Sequence, residues 1–291
     1  CFPRIHELEQ VYGGLLKAMV KMAKQKRAEV KAGKQVASAA GPAGVLTSFV
    51  DGIQELTDGT VKELKGNVQT GCAVTGLKAI DGGWELRLAD GSNYDADVVV
   101  SAAPAHVLKE LILPLDGKLS ELLDGIPYAP MNVICFGYEQ SKVERDLDGF
   151  GYLIPKKEGC EILGTLWDSS IFPSRAPEGH VMLRSMMGGA TNPAAVELSD
   201  AEVKQRTMAE LKKIMGINAE PDFVRIFRHK RAIPQYVVGH AERLAAIDER
   251  LKSHAGLVLT GNAFSGIGLN DCVNAANKAG EQVIAWLQRA A

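Results

Sequence analysis

The stretch best suited to chemistry lies near the end of the chain. Leu257-Val258-Leu259-Thr260 reads as a strand and Gly261-Asn262-Ala263-Phe264-Ser265-Gly266-Ile267-Gly268-Leu269 as a glycine-rich turn. Asn270-Asp271 then reads as the cap of a helix running to Gln288. Glycines let a backbone approach a ligand closely, because no Cβ intervenes. The helix behind them offers free N–H groups and the positive end of its dipole. Such a turn suits a phosphate or a group that becomes negative during a reaction. On pattern alone an ordinary tight turn is the simpler reading. The spacing is not G-x-G-x-x-G, since Gly266 and Gly268 are followed by Asp271, and that motif occurs nowhere in the chain. Nothing here would hold a pyrophosphate by the dinucleotide fingerprint.

Three other side chains invite a chemical role. Cys272 follows a helix N-terminus, which could lower a thiol pKa, but a small buried residue explains it equally well. His229 reads as structural, or as lying at the edge of a site. Arg184 could meet an acid on a ligand, although a surface ion pair is the plainer reading.

Composition removes several classes. The 291 residues are 46% hydrophobic and 23% charged, ordinary for a globular chain of one large domain or two. Net charge is −2, which argues against a nucleic-acid protein held by bulk charge. The five cysteines are scattered without a C-x-x-C pair, so reduced thiols in a cytoplasmic protein are expected, not a disulfide framework or a zinc site. The six histidines include no H-E-x-x-H, and no metal site is expected. No apolar run reaches the ~18 residues of a membrane-spanning helix.

Several elements must position the turn. Ile5, Leu8, Tyr12, Leu15, Met19 and Met22 recur at helical steps and predict one apolar stripe. Lys17 to Lys34 holds seven Lys or Arg residues and one acid, Glu29. This is either a solvated helix face or a surface that rests on anionic lipid. Ser38 to Gly44 reads as a loop or domain boundary. Ser48 to Leu56 predicts a short helix with Phe49, Ile53 and Leu56 inward. A β-meander follows, with Val68 to Ile80 extended, a turn at Asp81-Gly82-Gly83, a strand Trp84 to Leu88 and a turn at Asp90-Gly91. The apolar run Val98 to Ala103, stopped by Pro104, predicts a strand covered on both faces, as in a parallel sheet. After a helix Ala105 to Leu113 come β-like runs at Val133–Tyr138, Gly151–Ile154, Glu161–Trp167 and Val181–Met187, which predict a mainly antiparallel sheet. Leu198 to Met215 predicts an amphipathic helix with Ser199 and Glu202 as a capping box. Pro221–Phe227 predicts a strand and Arg243–Ser253 a helix.

Thr260-Gly261-Asn262-Ala263-Phe264-Ser265-Gly266-Ile267-Gly268-Leu269-Asn270-Asp271-Cys272-Val273 resembles the carboxy-terminal FAD signature of the protoporphyrinogen oxidase family. Four further stretches agree, in the family's order. They are Phe2-Pro3 with Leu8-Glu9 and Tyr12-Gly13-Gly14; Ala96 to Pro104; Gly149 to Pro155 with Leu163-Gly164-Thr165; and Ile233-Pro234-Gln235-Tyr236-Val237-Val238-Gly239-His240. Amine oxidases and carotenoid desaturases share the strand-turn-helix ending, but Asp271-Cys272 and the Ile233 to Tyr236 run argue against them.

The resemblance implies a mixed α/β (α+β) fold. A partial FAD-binding, Rossmann-like sheet would come from Val61–Pro104 and Leu257–Ala291, with a mixed-sheet substrate domain between them. The implied divisions are 1–40, the end of a helical, membrane-facing insertion; 41–130, FAD-domain part; 131–240, substrate domain; and 241–291, the terminal FAD-binding segment. It implies oxygen-dependent oxidation of protoporphyrinogen IX, with coproporphyrinogen III as the alternative substrate. Molecular oxygen is the acceptor and peroxide is released. FAD would meet the backbone of Val74 and lie along Asn262, Ile267, Gly268 and Leu269. An anionic reduced flavin is one group that such a helix start favours. The tetrapyrrole would lie against Phe150, Leu153, Leu166 and Met187, each of which could equally be core. The cofactor carries the hard chemistry, so no catalytic side chain is expected. Family members open with a G-x-G-x-x-G unit that this chain lacks. The isolated chain is therefore expected to be an incomplete enzyme, or a tetrapyrrole-binding module without activity. The resemblance is compatible with peripheral contact at the inner face of the cell membrane and with a homodimer.

Overall fold

A computed structural model describes residues 9–31 and 48–290, and the chain divides into two compact units, 1–71 and 72–291. In the first unit, α1 spans Leu15–Lys31 and α2 spans Gln54–Glu63. The expected continuous stripe is interrupted, because Gly13 and Gly14 both take positive φ and end the preceding helical turn. Met19 and Met22 on α1 are exposed, while Ile5 and Leu8 lie outside the described residues, as does the expected loop Ser38–Gly44. The helix expected at Ser48 begins only at Gln54. Gly52 sits at φ 110°, outside the helical region, and Phe49 and Ile53 are exposed, not inward.

The second unit holds three sheets. In the first, β1 (Val74–Ile80), β2 (Gly83–Leu88) and β3 (Asn93–Ala96) form the expected meander, antiparallel throughout. Gly83 starts β2 and is part of the strand, not of the turn. Trp84 is buried and donates from Nε1 to the Ala255 carbonyl at 3.0 Å, which ties the meander to the segment entering the last strand.

The second sheet has two strands, β4 (Val99–Ser101) and β10 (Leu257–Leu259), paired in parallel. The parallel pairing agrees with the apolar run. Cover on both faces does not follow: Val100 is 45% exposed, because successive side chains point to opposite faces and only one face meets the core. Between these strands in sequence, α3 (Ala105–Ile112) and α4 (Gly117–Asp124) bury Leu108, Ile112, Leu119 and Leu123 in that core. The α4 N-cap is Asp116, whose Oδ1 accepts from the Leu119 N–H at 2.9 Å. Its Oδ2 accepts from Arg250 Nε and Nη2 at 2.9 and 2.7 Å and lies 2.9 Å from His254 Nε2. Burial opposes ionisation of Asp116, but the His254, Leu119 and Arg250 contacts outweigh it and hold the carboxyl well below its ordinary value.

The third sheet is five-stranded and antiparallel, in the order β6 (Gly151–Leu153), β7 (Ile162–Leu166), β8 (His180–Gly188), β5 (Tyr128–Glu139), β9 (Phe223–Pro234). β5 and β9 run longer than their apolar stretches predict. Between β7 and β8 a short helix, α5 (Asp168–Ile171), packs on β8. α6 (Asp200–Met215) packs on one face of the sheet, and its Ser199–Glu202 capping box forms as expected. Phe136, Leu183, Ile162 and Met187 fill that side with Val203 and Leu211 of α6. Helices α7 (His240–Leu251) and α8 (Leu269–Ala290) complete the unit. α8 starts at Leu269, so Asn270 and Asp271 stand in its first turn and do not cap it.

Candidate functional site

The terminal turn is built by steric exclusion. Gly266 has φ 66°, and a Cβ there would sit 2.2 Å from Asp271 Cβ, while one on Gly268 would sit 3.2 Å from Asp271 Oδ2. Asp271 therefore folds back over the two glycines, and only glycine leaves room for it at position 266. The outer surface of the turn is apolar and open, with Ile267 47% and Leu269 51% exposed and Val273 exposed beside them. Apolar surface next to free helix N–H groups suits a flat, partly anionic ring better than a bare phosphate. Asn262 is half-buried, and its carbonyl accepts a 2.7 Å hydrogen bond from Tyr236 Oη. Tyr236 stacks on buried His240, with ring centroids 4.2 Å apart and planes at 14°. Burial, then the nearby Cys272, pushes the Tyr236 phenol up to about 12, so it remains a donor. Burial and then Arg243 pull His240 below the ordinary imidazole value.

Val74 is half-buried at the start of β1, opposite Leu88, with its backbone at a strand end. It lies on a different sheet from the terminal turn.

The strand register sorts the expected tetrapyrrole contacts by face. Leu153 pairs with Gly164, Gly164 with Met186, Met186 with Val133 and Val133 with Phe227, giving one row across the sheet away from α6. The next row runs Gly151, Leu166, Arg184, Cys135, Arg225. Leu153 and Leu166 thus share the outer face, and Leu153 is 78% exposed. Phe150, 54% exposed, immediately precedes β6. Met187 is fully buried in the core on the opposite face. Its neighbour Met186 takes the outer position, because adjacent strand residues point to opposite faces. Two methionines in succession give no local signal by which to tell the outward one from the buried one.

Arg184 makes the ion pair that its position suggested: Nε and Nη2 each lie 2.8 Å from an oxygen of Asp168, whose carboxylate is buried. His229 is exposed on the same outer face, opposite Met131. Cys272 is half-buried in the first turn of α8. Sequence reasoning missed Tyr236 and His240 as supports of the turn, and Met186 as an outer-face residue. No group of three or more His, Cys, Asp or Glu suited to a metal occurs among the described residues.

The sequence profile of flavin containing amine oxidoreductases matches residues 1–284. Coproporphyrinogen III oxidase of Bacillus subtilis is 30% identical over 98% of this chain and 59% of its own length. Mitochondrial protoporphyrinogen oxidase of Nicotiana tabacum is 28% identical over 99% of this chain and 60% of its own length. A crystal structure from Exiguobacterium sp. 255-15, named as a candidate protoporphyrinogen oxidase, superposes with a TM-score of 0.76 at 24% identity. That superposition covers 98% of this chain and 58% of the other, and it shows the fold. The chain thus spans about three-fifths of the length of these proteins. With its profile matched from end to end of the sheets and the terminal turn, the chain belongs to the flavin containing amine oxidoreductase family.

Proposed function

We propose that this chain forms the porphyrinogen-facing portion of an FAD-dependent porphyrinogen oxidase that uses molecular oxygen. The observation that carries the reading is the presence of two surfaces in the second unit: an apolar glycine turn at the start of α8, and an outer sheet face carrying Leu153, Leu166 and Met186. The residues present fit a flavin, since Gly266 and Gly268 bring bare backbone to the surface and Ile267 and Leu269 offer apolar support. Bound there, FAD would supply the two-electron acceptor for porphyrinogen and return the electrons to oxygen.

The chain's own part is to hold and exclude. Asn262, Ile267, Gly268 and Leu269 would lie along the ring system, and the free N–H groups of the α8 first turn would favour negative charge on its edge. The Val74 backbone would meet the adenine side. Phe150, Leu153, Leu166 and Met186 would line the substrate, with Met187 supporting them from the core. No proton-transferring side chain is assigned. Protoporphyrinogen IX is the substrate we place first. Coproporphyrinogen III is the second reading, favoured by the 30% identity to the Bacillus subtilis enzyme.

In the first unit, Leu16, Met19 and Val20 lie exposed on α1 beside Lys17, Lys21 and Lys24. We extend the proposal to peripheral contact of this helix with an anionic lipid surface. No helix among the described residues is long and apolar enough to cross a membrane.

The test is aerobic oxidation of each porphyrinogen by the protein expressed from its full reading frame and supplied with FAD. Porphyrin fluorescence should rise above the spontaneous rate, with one peroxide formed per two electrons. Turnover of amines and not of porphyrinogens would overturn the reading.

A further inference from the structure

We propose that Arg225 forms a carboxylate subsite on the outer face of the five-stranded sheet and thereby selects porphyrinogens by their acidic side chains. This rests on the porphyrinogen reading above. Arg184, Cys135 and Arg225 stand in one row across β8, β5 and β9, and directly opposed Cβ atoms in such a row lie about 5 Å apart. Two arginine positions therefore flank one small side chain.

Their commitments differ. Arg184 is claimed by buried Asp168, to which its Nη2 donates at 2.8 Å in an ion pair. Arg225 has no acid within ion-pair distance among the described residues. Its guanidinium carbon lies 5.6 Å from the centroid of the Phe227 ring. A guanidinium beside an aromatic ring keeps the N–H donors of its planar fork for a further partner, and that fork matches a carboxylate in two parallel hydrogen bonds.

The surroundings define the class of partner. Phe227 belongs to the adjoining row, across Val133 from Met186, and beyond Met186 the Leu153 side chain leans over Gly164, so the row is apolar throughout. Phe227 is 45% exposed. An apolar floor beside an uncompensated cation suits a flat apolar ring that carries carboxylates at its rim. A ring without carboxylates would gain the floor and leave the cation unused. The β9 core-side residues Val224 and Ile226 pack against the sheet core, so Arg225 is free to serve a ligand without a structural duty.

The test uses stable porphyrins as probes, titrated into the purified chain and followed by porphyrin absorbance. Coproporphyrin carries four carboxylates, mesoporphyrin two and etioporphyrin none, by their chemistry. Arg225→Gln should weaken coproporphyrin about tenfold, the size of one charge-assisted contact. It should leave etioporphyrin unchanged, and Arg225→Lys should fall between. Added salt should weaken coproporphyrin binding to the wild type more than to Arg225→Gln. A uniform loss across all three probes, or no loss for coproporphyrin, overturns the subsite and leaves the porphyrinogen reading intact. Failure of the wild type to bind any of the three overturns both.

Discussion

The phenol of Tyr236 donates a 2.7 Å hydrogen bond to the backbone carbonyl of Asn262, joining the segment after β9 to the glycine turn before α8. The same phenol ring stacks on His240 at the start of α7. The segment from Tyr236 to His240 thus holds a turn that lies 26 positions further along the chain. A hydrogen bond of this kind contributes on the order of 1 kcal/mol. Tyr236→Phe keeps the ring stack and removes the bond. It should lower the urea unfolding free energy by about 1 kcal/mol and weaken FAD binding more than it weakens porphyrin binding. Equal losses for both ligands would show that the turn has no special link to flavin.

His240 supplies a pH test. Its folded pKa is lowered, first by burial and then by Arg243. The unfolded chain therefore binds this proton more readily than the native one. Stability from neutral His240 is full above the ordinary value of about 6.5 and declines as pH falls below it. His240→Phe preserves the stack and cannot titrate. The difference in stability between wild type and His240→Phe should change between pH values above and below that point, as read from urea midpoints. A constant difference would contradict the assignment.

Asp116 behaves in the opposite chemical sense but with the same slope. Its folded carboxyl is held below the unfolded value of about 3.9, so its stabilisation is present above that pH and is lost as pH falls through the folded value. Asp116→Asn removes the charge that Arg250 and His254 address. Breaking such a buried network should cost about 2–4 kcal/mol, less than a fully buried pair because Arg250 is partly exposed. Thermal unfolding at neutral pH checks this, and the gap between variant and wild type should narrow in acid.

The two methionines of β8 separate core from surface. Met187→Ala should destabilise by about 2–5 kcal/mol through a cavity in the core, with little direct effect on ligand. Met186→Ala should leave the unfolding midpoint nearly unchanged and weaken porphyrin binding several-fold. Reversal of the pattern would mean that the register is shifted by one residue.

Legibility in the sequence followed locality. The α6 capping box was readable because Ser199 and Glu202 stand three positions apart and report the helix start directly. The meander was readable because its turns carry Asp-Gly pairs. Met187 is placed on the ligand face by family resemblance alone, and two identical residues in succession, Met186 and Met187, do not reveal which of them points to α6. The register irregularity between Ile162 and Gly164 also hides the face from simple counting. The Asp116–Arg250–His254 network could not be read at all, since its members lie 134 and 138 positions apart. The same holds for Tyr236 and Asn262, where the motifs were recognisable but the bond between them was not. The roles of Val74 and the turn residues toward a flavin came from family resemblance alone, and they stand as proposals.

The central claim is that the glycine turn before α8 is a flavin surface. Titration of the purified chain with FAD, read by quenching of flavin fluorescence, tests it most directly when wild type and Gly266→Val are compared. A side chain at Gly266 would collide with Asp271 and displace the turn. The account predicts saturable binding to the wild type and at least a tenfold loss in the variant, about 1.4 kcal/mol or more. Saturable binding that is indifferent to Gly266→Val, or no saturation in either protein, would contradict it.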